Sequence, residues 1–600
     1  YPFVVVPSRP DAAVLLPAFA GCLRTGAMLD HLEVDDPRTW HLIDHYPGAM
    51  FAQFQAWYAP QGGIYMACED TEGNVKVLKT VRRTPGIRLG IAHAGDWPAQ
   101  GQRTLEYDVV LSSFQGDWYD AADLYRDWSL RQKWATPLSK RTDVASWLFD
   151  SPAYITVRPQ GYLDDGPAPA VKEFLPYEKC IPLLEGIARR IEAPLTVVLM
   201  GWEHGGSWIY PQCFPPIGGE QSIARFTAMA RERGWHVGSF CNGTRWVTKH
   251  VCGYDGQKYF EQNRGQRTVC RTQDGQLWGD DWGWRYSYLC CMAQQDTQRI
   301  ANDFVKRLIG WGMESIQFFD QNCNATTFPC FAEDHGHPSV PGKWMAGAMA
   351  EMARAFRQSA AEARQPGVIY SVESPCNEYC LPLFQECDVR VSPPSSGAPD
   401  FAPVYHYLFH ECIVMQGMMS TGPEPYALPI RNAWNGVLGE IPGAVMTGDG
   451  TLLNRETFNW ALWEPKVGNN DDALEMIRTV TAMRRGPGRD FLVFGRMQHP
   501  ARVSGIDVVK WQKDGRAYAV PTVAHAAWQA PDGRYGIVLA NWTTESRSLT
   551  ISEKRLTHSA TVHWCGKRCG HSNLEAQTGG FHITVPPLGC TLITPRGPAQ

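Results

Sequence analysis

The 600-residue sequence contains no long hydrophobic run, and its apolar stretches are short, as in Leu195–Met200. A membrane-spanning helix needs about 20 consecutive apolar residues, so the sequence predicts a soluble protein with no membrane span. It also contains no run of Lys or Arg, and its formal net charge is −5. Nucleic acid and anionic membrane surfaces, which basic clusters recognise, are therefore not expected as partners.

Several familiar motifs are also missing. No Gly-x-Ser-x-Gly sequence is present, which argues against an α/β-hydrolase esterase. No Gly-rich phosphate loop follows a strand-like segment, which disfavours a doubly wound nucleotide-binding fold. Cys565 and Cys569 lie four residues apart, a spacing that fits a local disulfide or half of a zinc site. Because no Cys-x-x-Cys pair accompanies them, a zinc site is disfavoured there.

The strongest metal-like cluster is His335-Gly336-His337, which follows Glu333 and Asp334 in a long loop. Alternate residues of an extended segment point in opposite directions. The two imidazoles are therefore not expected to meet at one ion. We predict neither a metal site nor a cofactor.

The sequence divides into three parts with different patterns of apolar residues. Residues 1–140 carry short β runs between Gly, Pro and Asp turns, which predicts an N-terminal β-sandwich with a linker helix that Asp117 caps. Residues 141–487 alternate strand and helix patterns, which predicts a central (β/α)₈ TIM barrel. Residues 488–600 return to β runs and predict a C-terminal β-sandwich. The first sandwich is short, so we expect it to be truncated at Tyr1, and the compartment stays open.

Four apolar strands of the predicted barrel end in polar or Trp-rich loops. These strands are Leu195–Met200, Val237–Cys241, Ser315–Phe319 and Val368–Val372. Residues at the carboxyl ends of TIM-barrel strands face the active site. Asp320 and Glu373 directly follow the last two strands, so we expect both carboxylates in one pocket. Glycoside hydrolysis uses such a pair, because one carboxylate attacks or stabilises the anomeric carbon and the other protonates the leaving oxygen.

The loops after these strands combine acids and amides with aromatic side chains, a mixture that suits sugar binding. Trp, of which the chain has 23, can stack on the C–H face of a sugar while polar side chains bind its hydroxyls. The residues predicted to bind the substrate are Trp202, Glu203, His204, Asn242, Arg245, Asp280, Asp281, Trp282, Gln321, Asn377 and Glu378. Arg245 is a candidate to pair with Asp320 and hold it ionised. Asp280 and Asp281 also fit a solvated turn or a pair of calcium ligands.

The Asp320 of Ile-Gln-Phe-Phe-Asp-Gln and the Glu373 of Tyr-Ser-Val-Glu-Ser resemble the nucleophile and the acid/base of retaining α-glycosidases with a TIM barrel. The likeness is closest to the endo-α-N-acetylgalactosaminidase and α-N-acetylgalactosaminidase group and to glycosidase-like bacterial proteins. It covers about residues 100–420 and includes Gly-Asp-Trp-Tyr-Asp-Ala-Ala (116–122) at the entry to the barrel. The resemblance implies a β-sandwich on each side of the barrel, with Asp320 at its fourth strand and Glu373 at its fifth.

One position departs from related enzymes. Starch-acting barrels carry an Arg two residues before the nucleophile, where this chain has Phe318. We therefore expect a glycoside hydrolase that cleaves an α-linked oligosaccharide or glycoconjugate with retention, but not a starch-type enzyme. The alternatives are a carbohydrate-binding barrel without catalysis, and a sugar lyase or isomerase with a Tyr or His base. The sugar, its linkage, exo or endo action and the oligomeric state stay open.

Overall fold

The computed structural model describes residues 2–30, 32, 45–95, 102, 104–160, 170–319, 327–390, 400–417, 422–453, 470–556 and 558–596. Asp320 and Gln321 lie outside these ranges. Within the described ranges, no helix combines the length and the apolar composition that crossing a membrane requires.

Two antiparallel sheets form the N-terminal part of the chain. Their strands are β1 (Phe3–Pro7), β2 (Ala13–Leu16), β3 (Cys22–Thr25), β4 (His45–Tyr46), β5 (Phe54–Ala59), β6 (Gly62–Cys68), β7 (Lys76–Arg83), β8 (Gly86–His93) and β9 (Val109–Phe114). One sheet has the order β1-β8-β7-β4, and the other includes β3-β2-β5-β6-β9. Val6 and Leu89 from the first sheet share a buried cluster with Val14 and Trp57 from the second. The sheets therefore pack as a sandwich.

Twelve α-helices lie in the described ranges: α1 (Ala27–Asp30), α2 (Trp118–Ser129), α3 (Ser146–Phe149), α4 (Cys180–Ile191), α5 (Glu220–Glu232), α6 (Gln257–Gln262), α7 (Gln295–Gly310), α8 (Trp344–Glu362), α9 (Val404–Phe409), α10 (Ala427–Val437), α11 (Asn470–Arg485) and α12 (Arg489–Leu492). The linker helix α2 begins as predicted. The Asp117 carboxylate accepts the Tyr119 N–H at 2.8 Å, and Asp120 accepts the Asp117 N–H at 2.8 Å. This is a capping box, which satisfies two N–H groups that a helix start leaves unpaired.

The central strands are β10 (Ala153–Val157), β11 (Leu195–Leu199), β12 (His236–Phe240), β13 (Arg245–His250), β14 (Gly279–Asp281), β15 (Arg285–Leu289), β16 (Ser315–Phe319), β17 (Ile369–Glu373), β18 (Glu386–Asp388), β19 (Asp400–Phe401), β20 (Val414–Gln416) and β21 (Gly443–Val445). Eight of them form a parallel sheet in the order β20-β18-β17-β16-β12-β11-β10-β21. A parallel bridge between Gln416 and Ile441 brings its two edges together. With β10 as the first strand, β16 is the fourth and β17 is the fifth, as the resemblance implies.

Side chains from opposite strands fill the inside of this barrel. Tyr154 of β10, Val198 of β11, Phe240 of β12, Ile369 of β17 and Val445 of β21 belong to one buried cluster. Two elements were not foreseen. The strands β13, β14 and β15 form an antiparallel sheet that is inserted between the third and fourth barrel strands. The short strand β19 pairs with β3 and so joins the barrel segment to the N-terminal sheet.

The C-terminal strands are β22 (Arg496–Gln498), β23 (Arg502–Ser504), β24 (Val508–Lys513), β25 (Arg516–Pro521), β26 (Val523–Gln529), β27 (Tyr535–Asn541), β28 (Arg547–Ser552), β29 (Ser559–Cys565), β30 (Cys569–Glu575), β31 (Phe581–Val585) and β32 (Gly589–Pro595). Ile537 of β27 packs with Ile551 of β28 and Phe581 of β31, which belong to a different sheet. A disulfide joins Cys565 and Cys569 across the end of the β29–β30 hairpin. The predicted fold class, a TIM barrel between two β-sandwiches, is confirmed. The exact boundaries at residues 140 and 487 remain predictions.

Candidate active site

The register of the fourth and fifth barrel strands sets the geometry of the candidate site. Ser315 pairs with Ile369 at the start of the two strands, and Phe319 pairs with Val372 at their end. An irregularity between Ile316 and Phe319 therefore shifts the register by one residue. In the sequence, residue 320 follows Phe319 and residue 373 follows Val372. Neighbouring strands lie about 4.8 Å apart.

The same irregularity decides which side chains of β16 face outward. The rings of Phe318 and Phe319 both contact Phe356 of helix α8, with centroids 5.0 and 6.0 Å apart. Gln317 points the other way, and its Oε1 accepts a hydrogen bond from the Ser371 hydroxyl at 3.4 Å. Two successive outward residues are the mark of a β-bulge.

Glu373 ends β17 and lies in a cluster of charged groups that the sequence analysis did not anticipate. Its side chain is 9% exposed, and its Oε1 lies 2.6 Å from the Arg390 guanidinium. Arg390 also contacts Asp388, the last residue of β18, at 3.1 Å. Burial raises the pKa of the Asp388 carboxyl to about 6, although Arg390 acts against this shift. A single guanidinium thus links the ends of the fifth and sixth strands.

The sequence did offer one signal for these missed residues. Asp388-Val389-Arg390 spaces its two charged residues for one face of an extended chain. The strand β18 has only three residues, however, and it lacks the long apolar run that marked the other strands. The segment therefore resembles a loop in the sequence.

A second carboxylate lies deeper in the barrel. The Tyr154 hydroxyl of β10 donates to Glu386 of β18, and both side chains are buried. Burial raises the pKa of Glu386 from its ordinary 4.5 to about 8, although hydrogen bonds from Tyr154 and Ser371 lower it. This shift favours the protonated form of Glu386 at neutral pH.

This shift predicts a pH-dependent stability. Because the folded-state pKa is raised, the stabilising contribution of Glu386 is complete below about pH 4.5 and is lost as the pH rises through about 8. Each pKa unit corresponds to about 1.4 kcal/mol. The free energy of unfolding of the wild type is expected to fall by a few kcal/mol between pH 5 and pH 9. In Glu386→Gln, urea unfolding across this range should lack that component, and equal pH slopes would contradict the assignment.

The inserted sheet brings together several residues predicted to bind sugar. The Asp280 carboxylate accepts hydrogen bonds from the Arg245 guanidinium at 2.6 Å and from the Trp282 indole at 2.8 Å. Arg285 lies 4.0 Å from the same oxygen. Trp282 is 48% exposed, and the guanidinium groups of Arg245 and Arg285 lie 5.6 and 5.3 Å from the centroid of its ring. Asp281 is exposed and accepts the backbone N–H of Gly283 at 2.9 Å.

Other predicted binding residues are buried in structural roles. Trp202 is fully buried, donates to the Ser239 hydroxyl at 2.6 Å and packs against Trp311, so the prediction that it stacks on sugar is corrected. Glu203 is also buried. The Asn242 amide donates to the Trp208 carbonyl at 2.8 Å. Only His204 of the Trp-Glu-His segment is exposed.

Asn377 and Glu378 are likewise buried. Asn377 caps the short 3-10 helix Glu378–Cys380, where its side chain accepts the Cys380 N–H at 3.2 Å. Glu378 is fully buried and accepts hydrogen bonds from Tyr125 of α2 and from Gln53 of the N-terminal part, at 2.5 and 2.7 Å. The prediction of a leaving-group site is corrected, because these contacts make Glu378 a link between the barrel and the N-terminal part.

Comparisons with known proteins assign the chain to a family. The family model described as a domain of unknown function, DUF6259, matches residues 103–420, which is more than half of the chain. The chain belongs to the DUF6259 family. This DUF6259 protein is 18% identical over 510 residues to a protein of Bacteroides thetaiotaomicron named "Putative glycoside hydrolase", with 82% of this chain and 67% of the relative covered.

Two solved glycosidase structures share this architecture. The α-N-acetylgalactosaminidase of Bifidobacterium bifidum has a TM-score of 0.61 at 13% identity, over 92% of the DUF6259 chain and 81% of its own. The α-galactosidase of Lactobacillus brevis has a TM-score of 0.54 at 11% identity, over 100% and 75% of the two chains. The predicted resemblance to the α-N-acetylgalactosaminidase group is thereby confirmed, and at these identities it establishes the fold.

Proposed function

We propose that this DUF6259 protein is a glycoside hydrolase that cleaves an α-linked sugar from an oligosaccharide or glycoconjugate with retention of configuration. The observation that carries the proposal is the register of β16 and β17, whose last pair, Phe319–Val372, directly precedes residues 320 and 373 in the sequence. Retaining enzymes hold their two carboxyl groups about 5–5.5 Å apart, a separation that suits adjacent strands. The glycosidase names of the relative and the fold neighbours support the same class.

Each carboxylate has a separate role in this proposal. Asp320 attacks the anomeric carbon while Glu373 donates a proton to the glycosidic oxygen, so that the bond to the leaving group breaks and a glycosyl ester forms on Asp320. Glu373, now ionised, removes a proton from a water molecule that attacks the same carbon and releases Asp320. Arg390 fixes the position of the Glu373 carboxylate through the contact at 2.6 Å.

The proposal is tested with a panel of aryl glycosides and with NMR. The panel contains the α-galactoside, the α-N-acetylgalactosaminide and the α-glucoside, each with its β-anomer as the matched control. Hydrolysis of an α-glycoside should first release the α-anomer of the free sugar, which proton NMR detects before mutarotation. Release of the β-anomer would overturn retention. Sugar binding without turnover of any substrate, measured by calorimetry, would instead favour a carbohydrate-binding barrel.

Trp282 is the best candidate for a stacking platform, because it is large, half-exposed and held by Asp280. Trp282→Ala is expected to raise KM about 5- to 10-fold, since the loss of one aromatic contact costs about 1–1.4 kcal/mol. The unfolding midpoint should hardly change. Trp202→Ala is the contrasting variant, because loss of a buried Trp lowers the free energy of unfolding by about 3–5 kcal/mol. An unchanged KM in Trp282→Ala would remove this residue from the binding site.

A further inference from the structure

Two thiols and two imidazoles meet in one cluster. The ligand atoms of Cys291, Cys330, His335 and His337 all lie within 4.8 Å of one another. Both cysteines are fully buried, and His335 is nearly so. We propose that these four side chains form a structural zinc site.

The distances within the cluster fit a tetrahedral ion. Zinc binds Cys sulfur at about 2.3 Å and His nitrogen at about 2.0–2.1 Å, so the edge between a sulfur and a nitrogen ligand is about 3.6 Å. The Cys291 Sγ lies 3.2 Å from the His337 Nε2, and the Cys330 Sγ lies 3.5 Å from the His335 Nδ1. Thiolate and imidazole ligands in a four-coordinate arrangement favour zinc over magnesium or calcium, which prefer oxygen.

Neighbouring groups hold the ligands in the orientation that a metal needs. The Nδ1 of His337 lies 2.8 Å from the Pro338 carbonyl oxygen. A carbonyl only accepts hydrogen bonds, so Nδ1 carries the proton and Nε2 presents its lone pair to the cluster. The His337 ring also stacks on Trp344, with centroids 3.9 Å apart. The backbone N–H of Arg271 donates to the Cys330 sulfur at 3.4 Å, as expected for a thiolate ligand.

The convergence of the two histidines corrects the prediction from the sequence. That prediction assumed an extended segment, in which His335 and His337 would point to opposite sides. Gly336 between them has a φ of +78°, and residues 333–337 form a bend. A glycine reaches this left-handed conformation without the strain that a side chain would cause. The bend turns both imidazoles toward the same pair of thiols.

The position of the cluster indicates what the ion does. Cys291 lies two residues after β15, which is the central strand of the inserted sheet. The same sheet carries Asp280, and Trp282 directly follows its strand β14. The other three ligands lie in the segment that follows Asp320 along the chain. Zinc would therefore fasten the inserted sheet to the loop after the fourth barrel strand. An ion with four protein ligands has no open position for substrate, so its role is structural.

Metal analysis of the purified full chain tests the proposal. Protein prepared with a reductant should contain about one zinc per chain by plasma mass spectrometry. X-ray absorption at the zinc edge should show sulfur neighbours at about 2.3 Å and nitrogen neighbours at about 2.0–2.1 Å. In competition with a chelator, Cys291→Ser and His337→Ala should each weaken zinc affinity at least 100-fold. His337 is only partly buried, so its replacement disturbs the core least.

Cys290→Ser is the matched control. Cys290 is also a buried free thiol, but it packs in the main core and not with the cluster. Its variant should keep one zinc per chain. Wild-type protein that neither contains zinc nor binds added Zn²⁺ would overturn the proposal, whatever the variants do. Stoichiometric iron, or a disulfide that links Cys291 or Cys330 in peptide maps, would also overturn it. These measurements do not depend on hydrolase activity, so the zinc site and the proposed glycoside hydrolase function are tested independently of each other.

Discussion

Replacing Asp320 by Asn is expected to lower kcat/KM on the best aryl α-glycoside by about 10⁴-fold or more, because no nucleophile remains to form the glycosyl ester. Glu373→Gln should lower it by about 10²- to 10⁴-fold, the usual contribution of a general acid. The loss in Glu373→Gln should be smaller for aryl groups that leave without protonation. The loss in Asp320→Asn should be the same for every leaving group. Steady-state rates with two leaving groups measure this difference.

Glu314→Gln serves as the control for both variants. Glu314 directly precedes β16, at the opposite end of the same strand, and contacts His236 at 3.0 Å. Residues at the amino ends of barrel strands support stability and not catalysis, so this variant should keep its activity. Circular dichroism should show a folded protein in all three cases. If Asp320→Asn or Glu373→Gln hydrolysed the substrate at nearly the wild-type rate, the assignment of the two carboxylates would be wrong.

The strands of the barrel were predictable because they are buried on both faces. A parallel strand of this kind reads as a short apolar run, and the predicted bounds of Ser315–Phe319 agree with those of β16. The order of the strands was implied by the resemblance and agrees with the structure, in which β10 is the first barrel strand and β17 is the fifth. The bulge in β16 was not predictable, because two adjacent Phe residues give no sign of which faces outward. That bulge sets the register on which the candidate site depends.

Trp202 and Glu378 were predicted to bind substrate, but the structure buries both side chains. The sequence shows that Trp202 follows a strand, but its partner Ser239 is 37 residues away and belongs to another strand. Asp388 and Arg390 were not predicted as site residues because β18 is short and no apolar run marks it in the sequence. The two histidines were misjudged because one residue, Gly336, changes the direction of the backbone. In each case the missing information is a long-range contact or a local backbone conformation.

Glu378 makes long-range contacts of this kind, and they have a consequence for stability. Its buried carboxylate accepts hydrogen bonds from Tyr125, Gln53 and Ser129, the last at 3.1 Å. Glu378→Ala would leave these buried donors without an acceptor, and each unsatisfied group costs about 1–3 kcal/mol. The free energy of unfolding is expected to fall by about 3–5 kcal/mol. Urea unfolding, followed by Trp fluorescence, measures this loss.

A surface carboxylate serves as the control, because its loss removes a negative charge without removing buried hydrogen bonds such as those that Glu378 accepts. Glu72 contacts Lys133 at 2.9 Å, but both side chains are more than half exposed, so Glu72→Ala should cost less than about 1 kcal/mol. A role in substrate binding would give a different pattern, in which Glu378→Ala raises KM and leaves stability unchanged. Gln53 lies in the N-terminal part, directly before β5, and Tyr125 lies in the linker helix α2. Loss of their common acceptor should therefore loosen the attachment of both segments to the barrel. Faster proteolysis within residues 45–129 of the variant, with KM unchanged, is the result that this argument requires.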